Sequence, residues 1–371
     1  MQYFPIIGLL GPRQCGKTTL VKHIAEKHGE EAIYLDLESQ RHLAILSEPE
    51  LYFRTHQSAL VVLDEIQVRP DLFPLLRSAV DEARTPGRFI ILGSASPALL
   101  RQSNESLAGR VSYHELSPFN LLEIEGLEKH RLVGGYPDSF LAPDDIAFQW
   151  LENYIRSYVE RELPALGLRT TPANIYKLLR MVSHIHGSLL NIENLSRSLG
   201  ISATSVRNYL DFIENAFLIR RLQPFHINTN KRLIKSPKIY IRDSGVLHSL
   251  HGLYKAKELE FHPISGASWE GYCIEQIIQL LPETVQPYFY RTQHGAELDL
   301  ILVKGVEPIA TVEIKLTVAP KTTKGLHSAI FDIGVEKNFV IARIEERFSL
   351  AENIVACSLE HFITQELPQI L

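Results

Sequence analysis

The sequence reads as an α/β protein: a parallel sheet built around a glycine-rich loop, then a helical connector, a two-helix module with strands, and a second α/β domain. Three stretches carry that reading. They are the loop Gly11–Thr18, the apolar run Ala59–Leu63 that ends in Asp64 and Glu65, and two strand-like runs near the C-terminus holding Asp299, Glu313 and Lys315. A chain of 371 residues has room for two or three domains with separate cores. Its net charge of −5 means that nucleic-acid affinity requires a local basic surface rather than bulk charge. No run reaches the roughly 18 apolar residues of a membrane span, and no secretory leader is visible, so no membrane partner is expected. Cys15, Cys273 and Cys357 are too few and too scattered for a disulfide framework. A cytoplasmic, reducing setting follows as the expectation.

Residues 1–125 form the first expected domain. The apolar run Ile6–Leu10 leads into Gly11, Pro12, Arg13, Gln14, Cys15, Gly16, Lys17 and Thr18, and an apparent helix follows over Thr19–His28. The spacing is G-x-x-x-x-G-K-T, in which glycines let backbone N–H groups face a phosphate chain and the following helix adds its positive end. In such a P-loop, Lys17 meets the β- and γ-phosphates, Thr18 holds Mg²⁺, and Thr19 completes the binding segment. Ala32–Leu37 is expected as the second strand and Ala59–Glu65, ending in two carboxylates, as the third. Asp64 at the carboxyl end orders the Mg²⁺ shell and Glu65 polarises the attacking water. The next buried strand is Phe89–Ser94, and Ser94 at its end either contacts the γ-phosphate or the water, or caps the helix after it. Ser106–Arg110 precedes a fifth strand, Val111–Leu116. Arg110 either stabilises charge on the transferring phosphoryl group, in cis or from a neighbour in a homo-oligomer, or is a surface residue of a turn. ATP is expected over GTP because no N-K-x-D signature follows.

Residues 126–180 are expected as a helical connector. Gly134-Gly135-Tyr136-Pro137 is a turn, and Gln149–Leu163 reads as a helix with Trp150, Tyr154, Tyr158 and Leu163 as core positions rather than a ligand box. Residues 181–255 carry a helix-turn-helix pattern. Helix Ile192–Leu199 leads through Gly200 and Ile201 to Ser202, an N-cap for a second helix over Ala203–Asn215. In that arrangement the second helix lies in a major groove, with Ser202, Thr204, Ser205, Arg207 and Asn208 meeting phosphates and base edges. Two strand-like runs, 217–225 and 237–242, form an expected wing. Residues 195–242 hold nine Lys/Arg (197, 207, 220, 221, 231, 232, 235, 238 and 242) against Asp211 and Glu214, a local balance of +7. Such asymmetry marks a DNA surface; the same module also serves as a protein-interaction scaffold.

Residues 256–371 form the last expected domain. Ser268–Leu281 reads as an amphipathic helix with Glu275 at its edge. Leu298–Val303 and Ala310–Leu316 read as strands joined by a loop containing Gly305 and Pro308. Glu313 and Lys315 leave one face of the second strand, and a metal shared with Asp299 would satisfy them if buried. This D…E-x-K arrangement resembles that of PD-(D/E)xK nucleases, and the resemblance implies Asp299 and Glu313 as metal ligands, Lys315 as the group that orients a water or offsets developing charge, and Glu275 as completing the shell.

Gly11–Leu20, Leu63–Gln67, Gly93–Ser96, Ser106–Arg110 and Gly134–Pro137 together resemble the AAA-type ATP-binding proteins of bacteria and archaea that carry a C-terminal domain of unknown function 4143. The resemblance covers nearly the whole chain and implies ATP and Mg²⁺ at the loop. The D…E-x-K set resembles the PD-(D/E)xK nuclease fold, and Gly271-x-x-x-Glu275 matches the acidic helix of its RecB-like branch. Two functional readings follow. One is an ATPase driving a winged helix and a metal-dependent nuclease on DNA; the other is a nucleotide-switched regulator whose nuclease-like fold is silent.

Overall fold

Strands form where the sequence offers short, unbroken apolar runs, as expected of strands covered on both faces. The computed structural model describes residues 3–28, 32–96, 107–226 and 233–371. β1 (Ile6–Leu10) runs into the loop and α1 (Lys17–His28); β2 (Ala32–Asp36), β3 (Leu60–Asp64), α2 (Leu72–Glu82), β4 (Phe89–Gly93) and β5 (Val111–Glu115) follow. The five strands are parallel in the order β2-β3-β4-β1-β5. Val61, Leu63, Phe89 and Ile91 fall in one buried cluster, and Leu60, Val62, Ile90 and Leu92 in another. That alternation puts the two clusters on opposite faces of the sheet. The carboxyl ends of β1, β3 and β4 deliver Gly11, Asp64 and Ser94 to one edge, where open α/β sheets bind ligands.

Two units divide the chain. One comprises Met1–Pro118, Arg161–Arg169 and Asp211–Leu218; the other comprises Phe119–Glu160, Thr170–Leu210 and Ile219–Leu371. In the second, α3 (Asp144–Ser157) begins earlier than expected, where Asp144 and Asp145 favour a helix N-terminus, and continues as a wider turn through Tyr158–Glu162. Trp150 stacks on Tyr154 with centroids 5.1 Å apart, and Tyr154 donates to the Tyr136 hydroxyl at 2.9 Å. These aromatics are interior packing.

Helix α4 (Pro172–His184) and strand β6 (Ser188–Leu189) precede α5 (Ile192–Leu199) and α6 (Ala203–Asn215). Gly200 (φ 69°) closes α5, and Ser202 Oγ accepts the Ser205 N–H at 3.0 Å. β7 (Ile219–Leu222) and β8 (Lys238–Ile241) join β6 in an antiparallel sheet ordered β6-β8-β7. α7 (Ser265–Ile278) then leads to β9 (Val285–Arg291), β10 (Glu297–Lys304), β11 (Glu307–Ile314), α8 (Lys324–Ile333), β12 (Asn338–Ile341), β13 (Phe348–Ala351) and β14 (Ile354–Cys357). Their mixed sheet is ordered β13-β14-β12-β11-β10-β9.

Pro308 lies within β11, opposite an irregularity at Leu302/Val303. A missing N–H is tolerated at such a break, so the expected loop shortens to the turn at Gly305. Helix α7 is not amphipathic. Its polar Ser268, Glu275 and Gln276 are buried along with Trp269, Tyr272, Cys273, Ile274 and Ile277, because its apolar residues share one cluster with Leu222 and Tyr240 of the small sheet and with β9–β12. Among the described residues no helix is long and apolar enough to cross a membrane.

Candidate functional site

Backbone shape alone prepares the loop after β1 for an anion. Gln14 (φ 63°) and Gly16 (φ 104°) adopt left-handed conformations ahead of α1, the pattern of an anion-binding nest. A Cβ on Gly11 would lie 2.1 Å from the Leu116 carbonyl oxygen, so only glycine passes there. Cys15 Sγ donates to that oxygen at 3.3 Å. Lys17, 5% exposed, donates to the Gly11 and Pro12 carbonyls at 2.9 and 2.8 Å, which keeps its charge inside the loop.

Thr18 Oγ1 donates to Asp64 Oδ2 at 2.8 Å, and the Tyr34 hydroxyl from β2 donates to the same oxygen. Glu65 turns out of β3 with φ 57°. Its carboxylate accepts from the Gln67 amide, which also donates to Ser94 Oγ at 3.0 Å. Burial pushes the Glu65 carboxyl up, against the pull of Lys17 and Gln67. Arg13 reaches Glu38 at 3.3 Å and also pairs with Glu162. Arg110 is held by Asp81 through two bonds of 2.7 and 2.9 Å. Thr19 is exposed on the first turn of α1. Ser106, and the helix start that Ser94 would cap, lie outside the described residues.

The second expected site forms around Asp299 on β10 and Glu313 on β11. Asp299 Oδ2 accepts the Ile314 N–H at 2.9 Å, and Oδ1 lies 3.2 Å from Lys238 Nζ. The same ammonium is 3.0 Å from Glu270 Oε1 and 3.0 Å from Glu297 Oε1. Tyr240 donates to Glu270 Oε1 at 2.6 Å. Lys315, just past the end of β11, pairs with Glu313 Oε1, while the buried Oε2 has no hydrogen-bond partner among the described residues. Burial first, and then the charge of Asp299, pushes the Glu270 and Glu313 carboxyls up.

Glu275 is a correction. Burial would raise its carboxyl, but Arg220 (2.8 and 3.0 Å) and Arg242 (2.8 Å) hold it down to about 2. Five residues along a helix is about 140° around it, so Glu275 and Glu270 face different ways and Glu270 is the glutamate that joins Asp299. Among the described residues no group of three or more His, Cys, Asp or Glu is arranged to hold a metal ion. With the Lys238 ammonium already seated among Glu270, Glu297 and Asp299, the carboxylates do not fit a metal as they stand.

On α6 and the turn before it, Ser202, Thr204, Arg207 and Asn208 are exposed and Ser205 is partly so. Ser202 and Ser205 are occupied with the cap, and Arg207 is 3.8 Å from Glu193. The basic balance of 195–242 is smaller at the surface than in the sequence. Arg220 and Arg242 serve Glu275, Lys238 is internal, and Lys231 and Arg232 lie outside the described residues.

Comparison with known proteins adds the family. Residues 3–125 match an AAA domain, 124–257 a domain of unknown function (DUF8612) and 265–362 a domain of unknown function (DUF4143). Uncharacterized proteins of Mycobacterium tuberculosis and Mycobacterium bovis are each 39% identical over 97% of this chain and 81% of their own length. The chain belongs to the family of AAA-type ATP-binding proteins with a C-terminal DUF4143 domain. Two solved structures, one described as the structural basis for katanin self-assembly and one as Drosophila ORC bound to DNA, align at 14% identity. They cover 56% and 68% of this chain and 71% and 91% of theirs, with TM-scores of 0.24 and 0.25, too low to carry weight.

Roles for Tyr34 and Gln67 in the AAA domain, for Lys238 on β8, and for Glu270 and Glu297 in the C-terminal region were not read from the sequence. Glu270 and Glu297 carried signals of their own: a carboxylate on the same helix about one and a half turns before Glu275, and one two residues before Asp299 on the same face of its strand.

Proposed function

We propose that the chain binds and hydrolyses ATP with Mg²⁺, and that its nucleotide state controls a DNA-contacting winged-helix module whose neighbouring nuclease-like fold is silent as folded. The hydrogen-bonded set Lys17, Thr18, Asp64, Glu65, Gln67 and Ser94 around one left-handed loop carries the ATPase part. Lys17 exchanges loop carbonyls for phosphate oxygens when nucleotide enters. Thr18 and Asp64 would hold Mg²⁺, which neutralises charge on the phosphates. Glu65 takes a proton from water, and its raised proton affinity suits a base. Gln67 fixes Glu65 beside Ser94. Arg110 acts only after leaving Asp81, in cis or on a neighbouring subunit.

The order of β6, α5, α6, β7 and β8 supports the winged-helix reading, with Thr204, Arg207 and Asn208 as its outward contacts. Calorimetry with ATP and ADP tests the first part: folded Lys17→Ala gives no heat, and binding as tight as that of the natural chain would overturn the assignment. For DNA, replacing Thr204, Arg207 and Asn208 with alanine weakens duplex binding and flattens its salt dependence. Unchanged binding would favour a protein-interaction scaffold.

A further inference from the structure

We infer that the ammonium of Lys238 is a built-in substitute for a divalent cation in the acidic pocket of the six-stranded sheet. The ammonium occupies the place among the carboxylates that a metal would take, and the pocket binds Mn²⁺ or Mg²⁺ only when that side chain is removed. This rests on reading the sheet as a nuclease-like fold, and it supplies the physical reason that the fold is silent.

Lys238 reaches the pocket from β8, 61 positions before Asp299 in the chain, and is 2% exposed. An ammonium has three N–H donors, and Lys238 Nζ has three carboxylate neighbours at 3.0, 3.0 and 3.2 Å in Glu270, Glu297 and Asp299. Glu270 and Asp299 accept hydrogen bonds from it and Glu297 stands at ion-pair distance, so three carboxylates share the ammonium and Glu313 is not one of them. Glu313 is 6% exposed and keeps one oxygen without a partner among the described residues. A hard divalent cation takes six or more oxygen ligands at about 2.0–2.6 Å, so it would draw these oxygens inward and use the one the lysine leaves over.

The energetics have the same direction. A buried lysine among several carboxylates is held by the field of all of them, and removing it leaves buried like charges uncompensated, which destabilises strongly. Lys238 thus completes the fold and blocks the ion with one group.

Nucleotide-free full-length protein is titrated with Mn²⁺ while the electron paramagnetic resonance signal of free Mn²⁺ and the melting temperature are followed. The natural chain and Lys238→Arg leave the free-ion signal undiminished at this pocket. Lys238→Met and Lys238→Gln each bind about one Mn²⁺ and gain stability from it by mass action, and Lys238→Met combined with Asp299→Asn loses both effects. A Lys238→Met chain that folds only when Mn²⁺ is present also supports the inference. A natural chain that binds Mn²⁺, with Asp299→Asn abolishing the binding, would overturn the inference and leave the nuclease-like reading standing. Folded Lys238→Met and Lys238→Gln that bind no Mn²⁺ would remove both.

Discussion

Glu65 occupies a left-handed conformation that costs a residue with a Cβ about 1–2 kcal/mol, and it does so where its carboxylate must leave β3 and meet Gln67. If it is the base, Glu65→Gln keeps ATP affinity and lowers turnover by about 10²–10⁴-fold, read by calorimetry beside phosphate release. Tyr34 shares Asp64 Oδ2 with Thr18. Tyr34→Phe removes one of the two donors that orient this oxygen, so the Mg²⁺ concentration for half-maximal hydrolysis rises by roughly tenfold or more, as for other outer-shell partners, while Mg²⁺-free ADP affinity is unchanged. The loop residues were legible because they are contiguous and their spacing is dictated by a phosphate chain. Tyr34 and Lys238 were not, because each reaches its site from a separate element and leaves no local pattern. Glu275 misled because a match of spacing says nothing of which way a side chain faces.

Elements were most legible where a single environment shapes them. β1, β3 and β4 are apolar but for Asp64 at the end of β3, because both faces are covered, and their expected bounds differ from the observed ones by a residue at most. α7 was not, since a sequence does not announce that one cluster closes around the helix from two sheets. The Gly134–Pro137 turn shows what such packing demands. Gly135 donates its N–H to Asp243 Oδ2 at 2.9 Å, and a Cβ there would lie 2.4 Å from the Phe119 carbonyl oxygen and 2.9 Å from His130 Nε2. Gly135→Ala therefore destabilises by about 1–3 kcal/mol or more, seen as a lower denaturant midpoint. Gly266→Ala on α7 meets nothing within 4 Å and stabilises by up to about 1 kcal/mol. Equal effects of the two substitutions would contradict this account of the turn.

Electrostatics of the entire chain were the least legible, because the charge of a sequence window ignores partners beyond it. Glu275 lies outside 195–242 and absorbs two of the arginines counted there. Buried histidines add a pH response. His248 donates from Nδ1 to the Leu132 carbonyl at 2.8 Å and accepts from Ser268 at Nε2, 2.7 Å, and burial lowers it to about 4. The unfolded chain binds that proton near pH 6.5, so more protons are bound unfolded than folded between pH 6.5 and 4, and stability falls as pH falls through that window. His130 and His186 act in the same direction, while Asp243, raised to about 6 by burial, acts in the opposite one. Comparison with His248→Gln isolates one group: the advantage of the natural chain at pH 7 shrinks by about 3 kcal/mol by pH 4, measured as melting temperature against pH. The unit that holds the loop also takes in Asp211–Leu218. Phe217 is part of its core, and the Asn215 carbonyl and side-chain oxygens accept from Ser96 at 2.9 and 2.6 Å. A gene fragment stopped at codon 118 would therefore encode a sheet lacking part of its own interior, and dissection by truncation would report the damage of the cut rather than the properties of the engine.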